Sequence, residues 1–91
     1  MRQLQANDTM EAAYDLAEQF GSSPEYLARG CAYQIEWYEE ARENRNGEGG
    51  VVVTAFGKDD RMLWSAATSY RVGDRVIDVV RLARYNDKDG Y

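Results

Sequence analysis

Glu36, Glu39, Glu40 and Glu43 recur within the stretch QIEWYEEARENRNGEGG. On a helix, carboxylates three or four residues apart repeat every ~5–6 Å, a spacing comparable to successive phosphates on a nucleic-acid strand. The chemistry open to such a ridge is ionic attraction of a basic surface. Tyr33 and Trp37 border it, and both residue types are enriched where binding energy concentrates. Tyr33, Glu36, Trp37, Glu39, Glu40 and Glu43 therefore form the expected partner-binding set, against the plainer alternative of a solvated helix face.

Bond-making chemistry finds little support. A nucleophilic triad needs a base of near-neutral pKa, and the chain has no histidine. The single cysteine, Cys31, falls between Leu27 and Ile35 on the apolar side of the expected helix and reads as a buried small hydrophobe. One cysteine and no histidine exclude the common zinc sites. Asp87-Lys88-Asp89-Gly90 has the form of the start of a calcium loop, but no distal glutamate follows. The pairs Glu39/Glu40 and Asp59/Asp60 read as solvated neighbours. No catalytic residue, metal ligand or cofactor-binding residue is expected. Arg61, Arg71, Arg75, Arg81 and Arg84 could gather into a basic patch, but Asp74 and Asp78 lie among them, and cross-strand pairing is the simpler expectation.

The composition agrees with a binding role. Sixteen acids face eleven bases, a formal charge of −5, which disfavours nucleic acid and anionic membranes as direct partners. Residues 1–50 carry ten acids and four bases, and 51–91 six and seven, so the molecule is expected to be bipolar. At 91 residues and 44% apolar content the chain suits one domain, 1–91. A lone cysteine and the absence of an apolar leader point to the cytoplasm of a bacterial host cell.

The elements that would position these residues follow from breakers and periodicity. Asp8-Thr9-Met10-Glu11 has the form of a capping box, and Met10, Ala13, Tyr14, Ala17 and Phe20 recur at helical spacing up to Gly21. Ser23-Pro24-Glu25 is a second start signal, which predicts a helix of ~20 residues over 24–45. Val51 to Phe56 and Arg61 to Tyr70 read as strands around a turn at 57–60. Residues 75–84 fit a third strand on β-branched content, although Val76, Val79, Val80 and Ala83 also fit a helix. Gln3 to Ala6 adds a weak edge strand. The resulting fold class is α+β: two N-terminal helices, within about 8–46, on one face of a three-stranded or four-stranded antiparallel sheet. The meander runs over about 51–85 and a frayed tail over 86–91. Leu27, Cys31, Ile35, Tyr38, Val53, Trp64 and Val79 are the expected core.

In order of elements this chain resembles the RelE/ParE toxin superfamily, and Asp74-Arg75-Val76-Ile77-Asp78-Val79-Val80-Arg81-Leu82 looks like that family's penultimate strand. Its ribonuclease members draw on basic and aromatic residues near the C-terminus. A net acidic chain ending in Asn86-Asp87-Lys88-Asp89-Gly90-Tyr91 departs from that pattern. In size and acidity it resembles small phage and mobile-element inhibitors of the anti-CRISPR and anti-restriction kind. That resemblance implies a non-enzymatic module occupying the basic, nucleic-acid-binding surface of a larger protein or nucleoprotein complex, as a monomer or homodimer. The alternatives are a divergent RelE/ParE-like toxin acting on RNA or a target enzyme, and a small accessory subunit.

Overall fold

In the computed structural model, which describes residues 3–38 and 49–90 and the side chains of 3–38 and 50–87, the stretch Tyr33-Gln34-Ile35-Glu36-Trp37 is extended. Its apolar and polar residues alternate strictly, and that period of two belongs to a strand with one buried face. Tyr26 and Ala28 continue the same face on a preceding strand, joined to it by the two-residue turn Arg29-Gly30. Both turn residues have positive φ, 53° and 77°, the backbone of the tight hairpin turn that matches strand twist. The long helix expected over 24–45 is therefore replaced, in its described part, by the hairpin β2 (Glu25–Ala28) and β3 (Cys31–Trp37). Pro24, expected to open that helix, is buried and precedes β2.

The full order is β1 (Gln3–Leu4), α1 (Met10–Phe20), β2, β3, β4 (Gly49–Phe56), β5 (Met62–Tyr70) and α2 (Val76–Gly90). The strands form one five-stranded sheet in sequence order. β1 pairs parallel with β2 through the α1 crossover, and the remaining pairs are antiparallel. This mixed sheet with one helix from each half of the chain corrects the expected architecture of two N-terminal helices on a wholly antiparallel sheet. The C-terminal correction has the same form. Residues 76–90 are helical, because Val76, Val79, Val80 and Ala83 bury one stripe at 3.6-residue spacing, and β-branching lowers helix propensity only slightly. The stretch matched to a toxin strand is thus a helix, and 86–90 belong to it.

Cross-strand registers assign the faces. Ile35, Val53 and Ala66 stand in one row, Trp37, Val51 and Thr68 in the next, and Tyr33, Ala55 and Trp64 in a third. These rows face the helices, and the core joins them to Leu4, Met10, Ala13, Tyr26, Val76, Val79, Val80 and Ala83. Of the expected core, Ile35, Val53 and Val79 are buried, Trp64 is partly buried and Cys31 is half-buried. Leu27 and Tyr38 instead point outward, since a strand sends alternate residues to opposite sides. Phe20 is also exposed.

The helices begin side by side. Thr9, rather than Asp8, caps α1 by accepting from Ala12 N, and Asp8 accepts from Gln5 N. Met10 N donates to Asp74 O and Val76 N to Asp8 O, both at 2.8 Å, with a β-bridge between Thr9 and Arg75. Glu11 does not close a capping box, and its Oε1 accepts from Gly73 N at 3.0 Å.

Candidate functional site

Two surfaces carry exposed residues that packing alone does not require: the sheet face away from the helices, and a cleft where α2 meets the β2–β3 hairpin.

On the open face the register places Leu27, Ala32, Phe56 and Met62 side by side across four strands. At the end of that row a β-bulge sets Met62 and Leu63 opposite Phe56. Leu27, Met62 and Leu63 are 48%, 59% and 53% exposed, so the row is apolar surface in contact with water. The next row is polar: Glu25, Gln34, Thr54 and Ser65, with Thr54 and Ser65 hydroxyls 3.1 Å apart. Glu36, Val52 and Ala67 follow. Tyr38 closes this face, its ring where a Cβ on residue 50 would stand 2.8 Å away, so only glycine lets it lie flat there. Among the described residues, no lysine or arginine occupies an outward strand position, while Glu25 and Glu36 do.

The cleft encloses about 310 Å³. Ile77, Val80, Arg81 and Arg84 line it from one stripe of α2, and Tyr26, Ala28, Arg29 and Tyr33 from the hairpin. Tyr26 and Tyr33 stack at 5.9 Å, and Tyr33 lies 6.1 Å from Trp64, which makes an aromatic wall. Burial, and then the neighbouring Cys31, push the Tyr33 phenol above its ordinary pKa, while the Arg84 guanidinium pulls it down. Arg75 holds Asp78 at 3.0 Å and Asn7 at 3.0 Å. Arg81 therefore reaches the same Asp78 only at 4.0 Å. Among the described residues, Arg29 and Arg84 have no carboxylate within ion-pair distance.

The expected binding set is divided by this geometry. Tyr33 and Trp37 turn toward the helices, and Glu36 turns to the open face. Trp37 is held inside: its Nε1 donates to Tyr70 Oη at 2.9 Å and its ring meets Tyr14 edge-on at 5.7 Å. Burial raises the Tyr70 phenol; the bond from Trp37 opposes this, and Glu11 adds to it. Glu36 and Trp37 do share the rim of a smaller cavity of about 140 Å³ with Ser22 and Ser23. Glu39, Glu40 and Glu43 lie outside the described residues. The helical ridge is not formed at Glu36, because that residue lies on a strand.

The arginines also depart from expectation, since Arg81 and Arg84 lie on α2 rather than on a strand, and Arg75 forms an isolated bridge with Thr9 just before that helix. Arg29, within the stretch expected to be helical, lies instead in the hairpin turn, and it lines the same cleft as Arg81 and Arg84. Its signal in the sequence was the dipeptide Arg29-Gly30 between two short alternating runs. No helix among the described residues is long and apolar enough to cross a membrane. Comparison of the chain with protein-family models, curated proteins and solved structures gives no match.

Proposed function

We propose that this chain is a non-enzymatic protein-binding module whose open sheet face docks on a basic surface of a larger partner. The observation that carries this reading is the row Leu27, Ala32, Phe56 and Met62 beside Glu25 and Glu36, with no outward cation on the strands among the described residues. Exposed apolar side chains supply area to bury, and outward carboxylates select and steer a partner of opposite charge. This replaces the helical ridge as the contact surface and keeps Glu36 within it. Where the partner uses its basic surface for nucleic acid, occupation by this module would inhibit it. A cytoplasmic setting belongs to the same proposal, supported by the single thiol.

The test compares three baits in extract of the producing cell: the wild-type chain, Leu27→Ser/Met62→Ser, and Glu25→Gln/Glu36→Gln. The substituted side chains all leave the core untouched, so the folds should persist. A protein retained by wild type should be lost from the serine variant. From the glutamine variant it should elute at lower salt, because exposed charges act through screened attraction. Equal retention by all three baits would remove the open face from the reading. Concentration-dependent dimerisation of wild type, abolished in the serine variant, would assign the face to a second copy instead.

A further inference from the structure

We propose that the cleft between α2 and the β2–β3 hairpin binds a small phosphorylated molecule with a flat ring, of the mononucleotide type. Three arginines, Arg29, Arg81 and Arg84, line one cavity. Among the described residues, the nearest carboxylate, Asp78, is 4.0 Å from Arg81 and closer to Arg75. Arg29 and Arg84 thus have no carboxylate partner among the described residues, and Arg81 only a distant one, in a chain of charge −5. Their planar donor forks match phosphate oxygens, which can accept from more than one guanidinium. Opposite them the Tyr26–Tyr33 stack and the apolar Ile77 and Val80 offer a wall for a ring. The cavity of about 310 Å³ is at the lower end of small-ligand sites, which suits one such unit.

The backbone adds an independent observation. Arg29 occupies the first position of its turn at φ 53°, where asparagine or glycine is favoured and an ordinary side chain is strained. Residues held in such conformations cluster at ligand clamps. Here the strained position delivers the third guanidinium to the cleft. The net charge decides between sources of the phosphate. A nucleic-acid strand would carry further phosphates along a molecule of charge −5, whereas a free nucleoside phosphate meets only the local arginines.

The probes are AMP, adenosine, inorganic phosphate and single-stranded oligoadenylate, followed by Trp and Tyr fluorescence and by NMR of the arginine Nε–H groups. AMP should bind saturably and more tightly than adenosine or phosphate alone, shifting the signals of Arg29, Arg81 and Arg84. Arg84→Gln should weaken it about tenfold or more through loss of a charged hydrogen bond. Arg29→Asn separates binding from folding: it should melt ~4–8 °C higher, with turn strain relieved, while binding AMP more weakly. The open-face variant Leu27→Ser/Met62→Ser should bind AMP as wild type does, so this site and the proposed docking face stand or fall separately. Phosphate binding as tightly as AMP, oligoadenylate binding more tightly than AMP, or unchanged AMP affinity in Arg29→Asn would each overturn the proposal.

Discussion

Tyr33 and Trp37 were conspicuous in the sequence as aromatics beside acids, yet what they do depends on which side of a strand each one takes. Residue type showed that both were worth placing; only the period of two in Tyr33-Gln34-Ile35-Glu36-Trp37 could place them, and it turns them inward. Tyr33 thereby becomes a wall of the arginine cleft, and Trp37 a donor to Tyr70. The inward setting has a pH signature. Burial raises both the Tyr33 and the Tyr70 phenols, so the folded protein holds those protons more tightly than the unfolded chain. The resulting stability is fully present below the unfolded tyrosine value of about 10 and is lost as pH rises through the folded values. Melting temperature should therefore fall at alkaline pH, and the fall should be shallower in Tyr33→Phe/Tyr70→Phe. An identical alkaline slope in the two proteins, measured by circular dichroism, would contradict this.

Among the elements, α1, β4 and β5 were legible because period and breakers agreed, whereas β2, β3 and α2 were not. Over 24–37 the signal of Ser23-Pro24-Glu25 favoured a helix, but local propensity yields to a hairpin that buries Tyr26, Ile35 and the Trp37 ring in one sheet. For α2 the conflict ran the other way, and the stripe of Val76, Val79, Val80 and Ala83 outweighed its β-branched content once a sheet face was available to cover it. Asn86 Nδ2 then bonds Ala67 O on β5, which ends the sheet, at 3.2 Å and ties the far end of the helix to that edge. Glu11 shows how α1 is held. Its Oε1 bridges to Gly73 N before α2, while Oε2 is buried without a partner among the described groups. Glu11→Ala should lower unfolding free energy by about 1–2 kcal/mol in urea titration, and Glu11→Gln by less, because the amide keeps an acceptor for Gly73. Equal losses in both variants would argue that the charge, and not the bond, matters.

At the scale of the molecule, the described residues of the two halves, 1–50 and 51–91, interleave in space. α2 crosses back over the sheet and sets Arg81 and Arg84 beside the β2–β3 hairpin of the acidic half. The acidic apolar face and the arginine cleft thus lie on opposite sides of the β2–β3 hairpin, a relation no reading along the chain could supply. The paired starts of the two helices carry a further consequence, for the order of events during synthesis. Met10 N reaches Asp74 O and Val76 N reaches Asp8 O, so the first helix is clasped by residues made more than sixty positions later. At about 5–20 residues per second the ribosome takes roughly 3–13 s to deliver them. The antiparallel hairpins can pair as they emerge, but α1 must wait with its apolar stripe uncovered, open to proteases and chaperones. Ribosome-stalled chains ending at Arg71 should be cleaved by protease within α1, and chains carrying the full sequence should resist, each followed by a linker long enough to clear the tunnel. Equal resistance of the two would mean that α1 docks on the sheet before its clasp exists.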